Sequence, residues 1–284
     1  MPIPDRSACT DGVDAVLASW CQGDCVLDGD HWFAHRVDVA CPLTAAGHAA
    51  AAQRKSIAEE KVAGFVVITQ TCDIVRACNE RPYLEVCPLV AVDEQCMKQV
   101  QRGRHPKYAC LPGLAKHGLV AHLDRVMTVE KPIVARWTRV PGCETDQEAR
   151  CFAKALVRKH ARFAFPDDFT LFAKKLRDRW IGKHDKTTAE GRALRALQEI
   201  RVRAEPSWNA EQIDLVVWFI QDSSNSVFDD KDWTEAMQTW RMLVPPSGRF
   251  RSVRLQRVAL ENISAKDFLD SDPFDLDHLS TAFD

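Results

Sequence analysis

The sequence predicts an α+β protein of two domains: a small β-barrel with helices over residues 1–165 and a separate α+β domain over residues 166–284. Three observations predict it. The length, 284 residues, exceeds the roughly 100–200 residues usual for one domain. Up to Phe165 the chain holds five or six short β-rich runs and two helical stretches, the composition of a small, partly open barrel. Beyond Pro166 helical segments come first and a strand–strand–helix–strand order follows, which marks an independent α+β unit.

Each element has its own signal. "VDAVLASWCQGDCVL" (13–27) carries an amphipathic turn and then a strand, broken at Gly23-Asp24. "HWFAHRVDVACPL" (31–43) alternates in part and predicts a second strand. "TAAGHAAAAQRKSIAEEKV" (44–62) is rich in alanine and straight side chains, which favours helix despite Gly47. "GFVVIT" (64–69) is too short and too β-branched for a helix. "RPYLEVCPLVAV" (81–92) is a strand with Pro82 at its start and Pro88 marking an edge or bulge. "KYACLP" and "LVAHLDRVMTVE" add strand-like pieces around Gly113 and Gly118. "TDQEARCFAKALVRKHARFAF" (145–165) has helical spacing, acids in its first turn and Pro166 as its stop. In the second half "DDFTLFAKKLRDRWIG" and "TTAEGRALRALQEI" are helical, the latter opened by a threonine cap. "IRVRAEP", "IDLVVWFIQ" and "FRSVRLQRVAL" are strands, with the helix "DKDWTEAMQTWRMLV" before the last of them. "SAKDFLDSDPFDLDHLS" is an acidic surface turn leading to a short helix.

Composition narrows the function classes. Hydrophobic residues make up 46% and charged residues 27%, ordinary for a soluble protein. The net charge of −2 provides no global basic field to attract nucleic acid or an anionic membrane, although a local patch can. No apolar run approaches the ~18–20 residues that span a bilayer, and "MPIPDRSACTDG" has no apolar signal region. A cytoplasmic protein is expected. The eleven cysteines are odd in number and irregularly spaced, so most of them are expected to serve as small buried hydrophobes.

Four stretches, in order, carry a resemblance: "QGDCVL" (22–27), "GFVVIT" (64–69), "YLEVCPL" (83–89) and "GLVAHLDRVMTVEKPI" (118–133). Together they resemble the MazF/PemK family of ribonuclease toxins, whose fold is an SH3-like barrel. The resemblance covers about half of the first 165 residues and implies an RNA-acting protein of toxin–antitoxin or phage-defence type, an endoribonuclease-like nuclease with the barrel cleft as binding site. In that family an arginine before the central strand stabilises charge on the phosphorus, and a threonine after the "val-cys-pro" segment assists. Here Lys61-Val62-Ala63-Gly64 and Leu89-Val90 occupy those places. The family's catalytic pair is not matched, which leaves a barrel acting as a binding module.

Within the chain itself, Thr71, Cys72 and Asp73 follow a buried strand and form the candidate catalytic trio. A nucleophilic Cys72 would need a cation, helix terminus or histidine to lower its pKa; the alternative is a turn that Asp73 caps with the thiol packed beneath. Cys21, Cys25, His31, His35 and Cys41 have zinc-compatible residue types in a C-x3-C-x5-H-x3-H-x5-C series. An extended segment at ~3.3 Å per residue holds Cys21 and Cys25 apart, and no metal or other cofactor is assigned. "KQVQRGRHPKY" (98–108) supplies Lys98, Arg102, Arg104 and Lys107, read as a loop because of Gly103 and Pro106, with Tyr108 offering a stacking surface. "RKHARFAF" (158–165) is a second basic cluster whose phenylalanines pack rather than stack bases. Asp270, Asp272, Asp275 and Asp277 lack the Gly and Glu of an EF-hand and form an acidic turn.

Three functions follow as expectations. The first is a nucleic-acid-binding protein, with RNA or DNA as partner at the basic stretch. The second is an interaction module that docks a protein partner through the C-terminal domain, where exposed residues among Trp208, Trp218, Trp233 and Trp240 would mark the interface. The third is a cysteine-dependent enzyme centred on Cys72.

Overall fold

The computed structural model describes residues 6–101, 105–160, 163–183, 186–221 and 230–274. The chain divides into two compact units, Met1–Ala161 and Arg162–Asp284.

In the first unit the elements are α1 (Arg6–Leu17), β1 (Cys25–Val26), β2 (His31–Arg36), α2 (Ala45–Ala52), β3 (Ile57–Val62), β4 (Phe65–Val67), α3 (Thr71–Ile74) and β5 (Tyr83–Ala91). They continue with α4 (Glu94–Gln101), β6 (Tyr108–Ala109), a 3₁₀ turn at Pro112–His117, β7 (Leu119–His122), β8 (Met127–Glu130), α5 (Lys131–Val134) and α6 (Asp146–His160). The main sheet has the order β1-β4-β5-β7-β6, with β8 also pairing with β5, while β2 and β3 form a separate two-stranded ribbon. The stretches 22–27, 64–69 and 83–89 therefore do meet in one sheet, but that sheet is not closed into a barrel. Its edges, β1 and β6, are two residues long and do not pair with each other. The β2–β3 ribbon pairs within itself and joins neither edge. The SH3-like barrel is thus overturned, while the α+β composition stands.

The centre of the sheet is apolar on both faces because both are covered. Cys25, Val66, Cys87 and Leu89 face a cluster with Leu111, Leu114, Phe152 and Leu156, the last two from α6. Val26, Phe65, Val67, Leu84 and Val86 face the other way, onto Leu17 and Trp20 from the α1 region and Val134 of α5. Each such side chain contributes roughly 1.5–3 kcal/mol when fully buried. Gly64 opens β4 because a Cβ there would lie 2.0 Å from the carbonyl oxygen of Val26.

The helix expected over 44–62 is half right. Thr44 caps it, its hydroxyl accepting from the Gly47 amide at 3.0 Å. It ends at Ala52, and Arg54 turns the chain with φ 55°. Residues 57–62 then pair with 36–31, placing Ala58 in the core opposite His35. Cross-strand pairing and burial outweigh the helix propensity of the Ala-Glu-Glu-Lys run.

The second unit holds α7 (Asp167–Trp180), α8 (Ala189–Ala196), β9 (Leu197–Glu205), β10 (Ile213–Gln221), α9 (Asp230–Leu243), β11 (Phe250–Ala259), a 3₁₀ turn at Leu260–Asn262, α10 (Ala265–Leu269) and β12 (Asp272–Pro273). The sheet order is β11-β10-β9-β12, with β10–β11 parallel and β10–β9 antiparallel. One face is covered by the three longer helices through Phe169, Leu176, Trp180, Leu194, Trp233 and Trp240. On the other, Val216, Trp218 and Ile220 pack against Ile263 and Phe268. The segment 187–200 was expected to be helical throughout. Its helix ends at Ala196, and Leu197 begins the strand that pairs with Gln221.

Candidate functional site

The strand end that carries Thr71-Cys72-Asp73 becomes the four-residue helix α3. It is seated against the Gln22-Gly23-Asp24 turn. The amide of Gln22 donates to Thr71 Oγ1 at 3.0 Å, and Gln22 Nε2 donates to the Ile68 carbonyl at 2.7 Å. Asp24, only 3% exposed, accepts from the Cys21 amide and from Arg139 Nε, both at 2.6 Å. Cys72 is exposed rather than packed beneath the turn. Its Sγ has Gln70 Oε1 at 3.7 Å as hydrogen-bond partner, and that amide oxygen can neither withdraw the thiol proton as a base nor stabilise a thiolate. Asp73 lies 3.6 Å from Arg76 and 4.0 Å from Arg81. A carboxylate beside two arginines is an electrostatic brace for the 71–82 segment. Among the described residues no general base is hydrogen-bonded to Cys72.

The C-x3-C-x5-H-x3-H-x5-C residues are dispersed. Cys25 is buried in β1, His31 Nε2 lies 2.6 Å from the Asp28 carbonyl, His35 stacks on Phe33, and Cys41 is exposed. Among the described residues no group of three or more His, Cys, Asp or Glu side chains is placed to hold a metal ion. Asp272 lies in β12 and accepts from Trp208 Nε1 at 2.8 Å, whereas Asp275 and Asp277 lie outside the described residues. An open cleft of about 430 Å³ there is lined by Arg203, Glu205, Trp208, Lys266, Asp270 and Asp272. Several of its polar groups satisfy one another, Arg203 pairing with Glu205 and Asp267.

The basic stretch is more informative. Lys98 belongs to helix α4 rather than to a loop, and it pairs with Glu94 at 2.6 Å. Arg102 and Arg104 lie outside the described residues. Lys107 is exposed, with its ammonium 5.2 Å from the centre of the Tyr108 ring. That ring does not offer a free stacking face: His105 lies 5.3 Å from it and His122 meets it edge-on at 5.1 Å. The pairing of Tyr108 with His122 across β6–β7 fixes this contact.

His122 is acted on by charges from stretches that the sequence did not connect. Arg125 follows in the turn to β8, stacks over Phe33 at 4.7 Å and pairs with Glu60. Lys159, in the last turn of α6, pairs with Asp124. Burial, and then the positive charges of Lys107, Arg125 and Lys159, push the His122 imidazole down to about 4. Its Nδ1, shut off from solvent, has no hydrogen-bond partner. Burial and Lys107 also lower His105. Positive side chains therefore meet around His122 on a protein of slightly negative net charge, with Arg125 and Lys159 each already paired with a carboxylate. The cations involved are separated by up to 52 positions; Lys107 and Lys159 stand in basic runs and Arg125 does not.

The tryptophans offered as an interface are internal to their unit. Trp218, Trp233 and Trp240 are at most 5% exposed, and Trp208 sits among Phe163, Phe165 and Phe169.

No protein-family model matches the chain, and no curated protein matches it. With the sheet open as well, the MazF/PemK resemblance is withdrawn, together with the toxin–antitoxin, nuclease and antiviral-defence identities it implied. Among the described residues no helix is long and apolar enough to cross a membrane.

Proposed function

We propose that the first unit binds nucleic acid through its basic face, contacting the phosphate backbone rather than the bases. The observation that supports this is the gathering of Lys107, Arg125 and Lys159 around His122, next to a sequence stretch that adds Arg102 and Arg104. Phosphate contacts of this kind set affinity and salt dependence and carry little sequence information. The enclosure of Tyr108 by two histidines argues against stacking as the main source of affinity. Glu60 and Asp124 compete for two of the cations, so binding is modest.

The test is a salt titration of binding to a single-stranded RNA and to a duplex. Replacing Arg102, Arg104 and Lys107 with alanine should weaken both. It should also reduce the salt slope by about two to three phosphate equivalents, at roughly 0.9 counterion per phosphate on duplex DNA and 0.7 on a single strand. Salt-insensitive binding, or none, would overturn the reading.

A further inference from the structure

We infer that the cleft at the end of β9, in the second unit, binds a free cationic amino acid, arginine in preference to lysine. The inference goes beyond the nucleic-acid reading, which concerns the first unit, and stands or falls separately from it.

Three pieces of chain wall the cleft, and hydrogen bonds fix each of them. Arg203 and Glu205 lie at the end of β9. Trp208 follows, its carbonyl accepting from Arg249 Nη1 at 2.6 Å. Lys266 of α10, Asp270 and Asp272 make the third wall. Between those two acids the Ser271 hydroxyl accepts from Arg201 Nε at 2.9 Å, and Asp272 pairs with Val202 of β9. The volume, about 430 Å³, is that of a small-molecule site. Walls already set by the fold spare a ligand the cost of ordering them.

The charges around the cleft sort into two sets. Arg203 is held by Glu205 and Asp267, and Arg254 lies 3.3 Å from Glu205, so these four neutralise one another. The second set is Lys266, Asp270 and Asp272. Lys266 and Asp270 are exposed, and neither has an ion pair among the described residues. Asp272 accepts from Trp208 Nε1 through Oδ2 at 2.8 Å, which leaves its other oxygen for a ligand. One ammonium and two carboxylates define their complement: one anion and two cations on a single small molecule. Arginine carries this set in its α-carboxylate, α-ammonium and guanidinium. The planar guanidinium also grips a carboxylate through two hydrogen bonds and stacks on an indole such as the half-buried Trp208, which a lysine ammonium does less well. A polyamine has no anion for Lys266, and a dicarboxylic acid sets like charge against Asp270 and Asp272. Solvated pairs each contribute little, so a Kd on the order of 0.1–1 mM is expected.

The experiment follows the Trp208 indole N–H signal by NMR on the whole protein, with Trp208→Phe used to assign it. The probes are L-arginine, agmatine (arginine without its carboxylate), Nα-acetyl-arginine and citrulline, whose side chain is neutral. Arginine should move the signal saturably, and each probe that lacks one charge should bind about three- to fivefold more weakly. Lys266→Ala, at an exposed position, should weaken arginine by that same factor and leave agmatine unchanged. Asp270→Asn should weaken arginine and agmatine alike. A change in the fold would instead affect every probe in both variants. If arginine leaves the signal unmoved at concentrations well above the expected Kd, the site is overturned. Agmatine as tight as arginine in wild type would reduce the cleft to an acidic patch and overturn the assignment. Acetylated arginine as tight as the free form would overturn the free amino acid as the occupant.

Discussion

The ammonium of Lys131, a residue with no exposed surface, donates to the main-chain carbonyl of Arg76, 55 positions earlier in the chain. Lys131 opens α5, and its own amide donates to the Pro82 carbonyl at 2.9 Å. Burial lowers its pKa, while Cys78, Asp14 and Asp73 oppose that shift. Asp14 in turn accepts from the Cys78 amide at 3.0 Å. One buried amine thus ties α1, the segment after α3, and α5 together.

Removing this amine should be costly. Lys131→Ala strands the Arg76 carbonyl, removes a positive charge near Asp14, and opens a cavity. The expected loss is about 3 kcal/mol. Lys131→Met fills the volume without a charge and should lose less than half as much, since a buried charge itself pays a desolvation penalty. Urea denaturation of both variants would check the ordering; an alanine variant as stable as wild type would contradict the tie.

His122 should leave a signature in acid stability. Its folded pKa of about 4 lies below the ordinary 6.5, so between those values the unfolded chain binds more protons than the folded one. Stability from the neutral ring is therefore fully present above pH 6.5 and is lost as pH falls toward 4. After discounting for partial solvent screening the contribution is of order 1–2 kcal/mol. Comparing denaturation midpoints at pH 7 and pH 4.5 for wild type and His122→Gln isolates it: the variant should fall less steeply. Parallel slopes would remove His122 as the source.

Residues that decide their own local conformation were legible, and those that depend on distant partners were not. Gly64 followed by Phe65-Val66-Val67 announces a buried strand, and 213–221 is apolar enough to mark the centre of the second sheet. By contrast, 57–62 looks helical in isolation and becomes a strand only because 31–36 is available to pair with it. Barrel closure depends on which edges meet, and nothing in the two residues of β1 or β6 encodes that meeting. The same limit applies to the basic face. Lys107 and Lys159 were visible within basic runs, but Arg125 carries no local signal, and nothing local tells that the end of α6 lies near His122. For Cys72, the residues flanking it in sequence were an incomplete guide, because the short helix that carries it is seated on Gln22, 49 positions from Thr71.

Thiol reactivity should divide by burial. Burial raises Cys25 far above the ordinary thiol range and Cys87 to about 12. Burial first, with Glu148 and Asp24 adding to it, raises Cys143 to about 11. At pH 8 a thiol of pKa 12 is roughly one part in ten thousand thiolate, the reactive form. Cys21, Cys41, Cys72 and Cys151 are exposed and should alkylate together and early, with Cys25 and Cys87 protected until unfolding. Mass spectrometry of a timed alkylation would show it. A single fast site at Cys72 would instead favour a cysteine-dependent enzyme.

Glu190 is the corresponding anchor of the second unit, and its prediction separates charge from hydrogen bonding. It lies in the first turn of α8, where a carboxylate is favoured by the helix dipole, and it is only 8% exposed. Arg179 grips both of its oxygens, at 2.9 and 2.7 Å. The wholly buried indole of Trp240 donates to the same carboxylate at 3.1 Å. Arg179 has a side chain 43% exposed and can rehydrate if the carboxylate is removed, but the indole cannot. Glu190→Ala should therefore cost about 2–3 kcal/mol, chiefly for an unpaired indole N–H in the core. Glu190→Gln keeps an acceptor for Trp240 and gives up only the ion pair with a half-exposed arginine, so about 1 kcal/mol is expected. Tryptophan fluorescence during denaturation reports the loss directly, since Trp240 is packed against Phe219, Trp180 and Trp233. Equal losses in the two variants would mean that the charge, and not the indole hydrogen bond, holds α8 to the core.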